Sequence, residues 1–96
     1  MPAFIIVTRK TAVSEPAEFT EYQRLTREMT GDYQLKPRVL YGNIEALEGD
    51  APDGVVMLEF PTMEEAKAWY NSPGYQAALP HRLRSAEYQS FIVEGL

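Results

Sequence analysis

Two side chains in the sequence could move a proton during catalysis. His81 is the single histidine, and histidine has the only side chain whose ordinary pKa lies near neutral pH. Glu59 lies within the apolar segment 55–60, where burial would raise the pKa of a carboxyl group unless Arg9 or Arg82 paired with it. We therefore predict His81 or Glu59 as the general base of a reaction. The alternatives are a surface histidine and a structural ion pair.

A second set of residues could bind a ligand. Arg82 carries a guanidinium group that can hold a carboxylate through two parallel hydrogen bonds. Four aromatic residues each combine an apolar ring with a polar tip; they are Tyr22, Trp69, Tyr70 and Tyr75. We predict that these five side chains line a pocket for a small organic acid or aromatic metabolite. The alternative is that the aromatic side chains only pack in the core.

The composition argues against most metal and cofactor sites. The chain has no cysteine and one histidine, which excludes disulfides, thiolate metal sites and histidine-paired zinc or iron within one chain. The sequence also lacks the glycine-rich phosphate loops and the nucleophile elbow that mark nucleotide-binding proteins and hydrolases. We expect no metal and no cofactor.

The distribution of charge argues against nucleic acid and membranes as partners. The net charge is −5, and residues 41–65 hold seven acidic and no basic side chains, which would repel phosphate groups. No segment approaches the roughly 20 apolar residues of a membrane span. The apolar residues 4–7 precede Arg9 and Lys10, the reverse of the order in a signal peptide. A cytoplasmic protein is expected.

The 96 residues suit a single domain, 1–96, and their apolar patterns predict four strands. The predicted strands are 3–9, 38–48 with a kink at Gly42-Asn43, 55–60 and 89–94. A first helix is predicted over 16–30, with Pro16 in its first turn. Thr62 is expected to cap a second helix, and Ser72 a third. Pro80 should kink or divide this last helix. The order βαββαβ predicts a ferredoxin-like α+β fold with a four-stranded antiparallel sheet and its helices on one face.

The strands are apolar on both faces, although helices can cover only one face of the sheet. Phe4 and Ile6 point one way in the first strand while Ile5 and Val7 point the other way, and the third and fourth strands repeat this pattern. Exposed apolar patches of more than a few hundred Å² are uncommon on monomers. We therefore predict a homodimer through the sheet faces.

Four segments together resemble one protein family in their order and spacing. They are EPAEFTEY at 15–22, EALEGD at 45–50, LEFP at 58–61 and AWYNSPGYQA at 68–77, and the resemblance covers nearly the whole chain. The sequence is similar to the domain-of-unknown-function 1330 family in the dimeric α/β-barrel superfamily, and Arg82 matches an arginine of that family. The resemblance implies a ferredoxin-like protomer, a dimeric barrel of two sheets, and a pocket between sheet and helices in each protomer. It implies no established reaction.

These observations favour binding of a small organic acid or aromatic metabolite. If the protein is an enzyme, we expect cofactor-independent chemistry of the monooxygenase or isomerase type. His81 or Glu59 would then be the base, and Arg82 would hold an anion. A non-catalytic ligand-binding or sensing module is one alternative, and a purely structural dimer is the other.

Overall fold

The computed structural model describes residues 1–29, 31 and 33–96. Its strands are β1 (Ala3–Arg9), β2 (Lys36–Leu40), β3 (Gly54–Phe60) and β4 (Tyr88–Glu94), and its helices are α1 (Pro16–Arg27), α2 (Met63–Tyr70) and α3 (Pro73–Ser85). The strands form one open sheet in the order β2-β3-β1-β4, and every neighbouring pair is antiparallel. The predicted ferredoxin-like fold is therefore confirmed.

The two faces of the sheet differ in burial because successive residues of a strand point to opposite faces. In β1, Ala3, Ile5 and Val7 are buried, and they face the helices. Leu58 and Phe60 of β3 lie opposite Ile5 and Ala3 in the register and are buried with them. The core of the domain lies between this face and the helices.

The outer face of the sheet carries an apolar surface that the helices leave uncovered. It is formed by Phe4, Ile6, Val39, Val55, Met57, Phe91 and Val93. At its edge Glu59 Oε1 accepts a hydrogen bond of 2.9 Å from Arg38 Nε. We call this set of seven apolar residues the outer face below.

Local side-chain bonds set the starts of two helices. Thr62 Oγ1 accepts a hydrogen bond from the Glu65 backbone N–H at the start of α2, and Ser72 Oγ accepts one from the Tyr75 N–H at the start of α3. Both predicted caps are confirmed. The residue before α1, Glu15, forms no side-chain cap. No helix in the described part of the chain has the length and apolar character that crossing a membrane requires.

The main differences from the sequence prediction concern the end of β2, the end of α1 and the continuity of α3. β2 ends at Leu40 rather than at residue 48, because Tyr41 takes a φ of 54° that a strand does not allow. α1 ends at Arg27 instead of 30, and Thr30 lies outside the described residues. α3 is not divided at Pro80, since Ala78 and Arg82 on either side of the proline are buried against the domain and hold both halves in one helix.

Candidate functional site

A cavity of about 400 Å³ lies between α1 and the β2–β3 half of the sheet. Most of the side chains around it are apolar or aromatic. They are Phe19, Tyr22, Gln23, Thr26, Met29, Tyr33, Leu35, Leu40, Tyr41, Val56, Leu58 and Trp69, with Gly31 completing the lining. No residue of α1 is buried, because the apolar side of this helix faces the cavity rather than packed sheet residues. We call this space the chamber.

A smaller recess of about 30 Å³ adjoins the chamber, and Arg82 is part of its lining. The two spaces share five lining residues, which are Tyr22, Tyr41, Val56, Leu58 and Trp69. The recess adds Ile5, Val7, Tyr75 and Arg82. Since a single water needs about 10–15 Å³ of such space, the recess can hold a small head group but not a whole metabolite.

The Arg82 side chain is the most unusual feature of the recess. It is only 3% exposed, and neither its Nε nor its Nη1 has a hydrogen-bond partner among the described residues. Its guanidinium carbon lies 5.0 Å from the centroid of the Tyr88 ring, which stabilises the charge but satisfies no N–H group. A guanidinium stays charged in proteins, and burying an unpaired charge is costly. The recess therefore favours an anion.

A pair of tyrosine hydroxyls lies at the same recess. The Tyr22 and Tyr75 hydroxyl oxygens are 2.9 Å apart, and the two rings meet edge to face. Burial raises the pKa of Tyr22 and of Tyr75 above the usual value of a tyrosine. Both hydroxyls are therefore protonated at neutral pH, where they can donate hydrogen bonds but cannot act as bases.

The structure brings together four of the five residues predicted to bind a ligand. Tyr22 and Trp69 line both the chamber and the recess, and Tyr75 and Arg82 line the recess. Tyr70 packs against Tyr75 with the ring centroids 5.3 Å apart, but it lines a separate hollow beside β4, with Ser90 and Ile92. Tyr70 thus supports the ring of Tyr75 from outside the cavity. The binding roles of these residues stay predictions.

The two predicted bases lie outside the cavity. His81 lies where α3 meets α1, with its Nδ1 2.5 Å from Oε2 of Glu18, and Arg84 approaches the same carboxylate at 3.7 Å. His81 lines neither the chamber nor the recess. Its catalytic role stays an untested prediction, which the geometry does not connect to this cavity.

Glu59 is separated from the cavity by the sheet itself. It shares its face of the sheet with Phe4 and Met57, whereas Arg9 lies on the helix-covered face with Ile5 and Val7. The predicted ion pair with Arg9 or Arg82 is therefore wrong, and Arg38 on the neighbouring strand is the partner.

Tyr41 is a cavity residue that the sequence analysis missed. The prediction placed it inside a strand, but its positive φ turns the chain out of the sheet. Its ring lies 4.8 Å from the guanidinium carbon of Arg9, which is itself held by Asp53 at 2.8 Å. The signal that could have revealed this was the adjacent Gly42-Asn43 pair, which is typical of a turn.

Solved structures with low sequence identity share this fold. A protein of unknown function from Rhodopseudomonas palustris aligns with a TM-score of 0.67 and 16% identity, over 99% of this chain and 82% of that chain. An ethyl tert-butyl ether d (EthD) family protein from Bacillus halodurans aligns with a TM-score of 0.66 and 14% identity over the whole of both chains. A dimeric ferredoxin-like protein of unknown function from Jannaschia sp. CCS1 gives 0.66 and 9%, over 99% of this chain and all of that one.

At these identities the similarity establishes the fold alone. No curated protein matches the sequence. The family model described as "Domain of unknown function (DUF1330)" matches residues 2–96, which is nearly the whole chain. The resemblance inferred from the sequence segments is therefore confirmed, and the chain belongs to the DUF1330 family.

Proposed function

We propose that the protein binds a small organic acid, with the carboxylate in the recess and the apolar body in the chamber. The observation that carries this proposal is the buried Arg82 guanidinium, whose Nε and Nη1 have no partner among the described residues. An anion that pairs with this group would offset the cost of burying it, and a carboxylate matches its planar fork.

The chamber supports a ligand whose body is uncharged and carries a ring. Its volume of about 400 Å³ falls within the range of about 300–1,000 Å³ typical of small-molecule sites. The rings of Phe19, Tyr22, Tyr41 and Trp69 line it together with aliphatic side chains. Aromatic surfaces of this kind favour stacked or edge-to-face contacts with a ligand ring.

Binding is better supported than proton-transfer catalysis. The described lining consists of apolar side chains, hydroxyl and amide groups and one guanidinium, and none of these accepts a proton at neutral pH. The two candidate bases, His81 and Glu59, lie elsewhere. We therefore favour a ligand-binding or sensing role over the cofactor-independent enzyme.

Replacing Arg82 tests the proposal. Trp69 is the single tryptophan of the chain and lines the cavity, so its fluorescence should report binding of benzoate, phenylacetate and 3-phenylpropionate. Arg82→Met should abolish this response. The same change should also stabilise the ligand-free protein by about 1–3 kcal/mol, because it removes an unpaired buried charge.

Arg84→Met is the matched control, since Arg84 is on the same helix but lies outside the cavity. It should leave both binding and stability near those of the wild type. A ligand-free Arg82→Met protein that unfolds more easily than the wild type and still binds these acids would show that Arg82 is structural.

We also propose that two copies pair through the outer face of their sheets. Phe91 and Val93 in this face are 45% and 42% exposed, and a second copy would cover them. The relative from Jannaschia is described as dimeric, and two such open sheets packed face to face would close a barrel.

Sedimentation should give a dimer for the wild type and a monomer for Met57→Glu. Leu47→Glu, at a loop position that is 90% exposed, should stay dimeric.

A further inference from the structure

The hydrogen bond between Tyr22 and Tyr75 leaves one hydroxyl proton without an acceptor. Two hydroxyls carry two protons, and only one of these can lie between the oxygens that are 2.9 Å apart. Within the part of the chain that the structure describes, this is the single hydrogen bond formed by either hydroxyl. Whichever tyrosine donates, the other keeps a free O–H group.

This spare donor lies at the same recess as the unpartnered N–H groups of Arg82. Both tyrosines are protonated at neutral pH, since the ordinary pKa of a tyrosine is 10.0 and burial raises it further. The aliphatic residues of the recess offer no side-chain acceptor, and the Trp69 indole is a donor only. Tyr41 also lines the recess, and a tyrosine hydroxyl can both donate and accept a hydrogen bond. Among the described side chains of the recess, however, no carboxylate or amide oxygen is present to accept from the charged N–H groups of Arg82.

The head group that best satisfies such a recess carries a negative charge for Arg82 and accepts several hydrogen bonds. An ionised carboxylate does so, because its two oxygens offer about four acceptor positions and no proton. An amide of the same shape would bring two further N–H donors. A phosphate monoester would bring three terminal oxygens and about two negative charges into a recess of about 30 Å³ that holds one unpaired cation.

We propose that the Tyr22–Tyr75 hydroxyl pair is a specificity determinant of the acid site, which donates the hydrogen bond that, with Arg82, selects an ionised carboxylate over a neutral or tetrahedral head group. This inference rests on the proposed acid-binding function. The proposed function assigns the positive charge to Arg82, and this inference adds that the two tyrosine hydroxyls select the head group.

The test compares phenylacetate, phenylacetamide and phenyl phosphate on the wild type and on tyrosine variants, with Trp69 fluorescence and calorimetry as readouts. The wild type should bind phenylacetate at least about tenfold more tightly than the other two compounds, as expected for a hydrogen bond to a charged group. The double variant Tyr22→Phe/Tyr75→Phe should lose about tenfold or more in phenylacetate affinity and leave the weak binding of phenylacetamide unchanged.

The single variants separate a specific hydrogen bond from general packing. Tyr22→Phe and Tyr75→Phe each leave one hydroxyl with a free proton, so each should weaken phenylacetate binding less than the double variant does. Tyr70→Phe is the matched control, because Tyr70 touches Tyr75 but does not line the recess, and it should bind phenylacetate as the wild type does. Retained edge-to-face packing in the phenylalanine variants, seen by near-ultraviolet circular dichroism, would show that the affinity loss comes from the hydroxyls.

Two results would overturn the inference in distinguishable ways. If phenylacetate binding is lost in Arg82→Met but unchanged in the double tyrosine variant, the acid site stands and the hydroxyl pair has no selective role. If the wild type binds none of the carboxylates at millimolar concentration, the acid-binding function fails and the inference fails with it.

Discussion

The helical layer packs differently against the sheet under α2 and under α1. Under α2, Ala66 and Trp69 are buried against Phe60 and the rest of the core. Under α1, no helix residue is buried, and the chamber separates the helix from β2 and β3. One half thus supplies the close packing that stabilises a small domain, and the other half leaves room for a ligand.

The contacts of α1 explain how the chamber stays open. Glu18 pairs with His81, and Tyr22 pairs with Tyr75, so both bonds connect α1 to α3. Just before α1, Ser14 N–H donates to the Ser85 carbonyl at 2.8 Å. α1 is therefore held in place by its hydrogen bonds to α3 and not by packing against the sheet. The cavity between α1 and the sheet stays open for this reason.

The largest expected difference between the α2 side and the α1 side is the loss of stability when a phenylalanine is replaced by alanine. Phe60 is 1% exposed, so Phe60→Ala should lower the free energy of unfolding by about 3–5 kcal/mol, as in other well-packed cores. Phe19 lines the chamber and is half-buried, so Phe19→Ala should cost less than half as much.

Urea denaturation at one fixed protein concentration measures both losses, since the proposed dimer would make stability depend on concentration. Equal losses for the two variants would mean that α1 packs as tightly as α2 in solution, and the contrast between the halves would disappear.

A second contrast should appear at alkaline pH, because buried tyrosines lie on the cavity side. The folded protein raises the pKa of Tyr22 and Tyr75 above the ordinary value of 10.0. Their contribution to stability is therefore fully present below that pH. It falls as pH rises, because only the unfolded chain then releases these protons. The loss should reach about 1.4 kcal/mol per pH unit for each tyrosine.

Urea denaturation between about pH 9 and about pH 11 would measure this slope. The double variant Tyr22→Phe/Tyr75→Phe should show a flatter decline than the wild type. A double variant that loses stability as steeply as the wild type would show that other groups titrate, such as Tyr41, whose pKa burial also raises.

Patterns that depend on near neighbours predicted most of the fold. Short runs of β-branched and aromatic residues, bounded by polar or turn-forming residues, located β1 without error and located β3 and β4 within one residue. The Thr62 and Ser72 caps were predictable because each bond spans three residues. The end of β2 was not, since it depends on the positive φ of Tyr41, a conformation that non-glycine residues seldom adopt.

The sequence predicted the chemistry of the candidate site better than it predicted where each side chain lies. Arg82 was singled out as an anion-binding group because of its chemistry. That its Nε and Nη1 have no hydrogen-bond partner among the described residues depends on how α3 packs over the sheet. Trp69 and Tyr70 are adjacent in sequence, yet helix geometry turns them about 100° apart, and only Trp69 lines the cavity. Glu59 was predicted as a possible base because it lies in an apolar segment, but strand pairing places it beside Met57 on the face of the sheet that lies away from the helices.

The smallest expected contrast concerns how the helices begin. α2 starts with a Thr62 cap, whereas α1 starts at Glu15 without one. Thr62→Ala should therefore destabilise the protein by about 1 kcal/mol, because the Glu65 N–H loses its acceptor. Glu15→Ser should stabilise it by about 0.5 kcal/mol, because serine can accept from an N–H in the first turn of α1. Thermal and urea denaturation measure both effects. If Glu15→Ser tightened α1 enough to weaken benzoate binding, the uncapped start of this helix would itself be part of how the chamber admits a ligand.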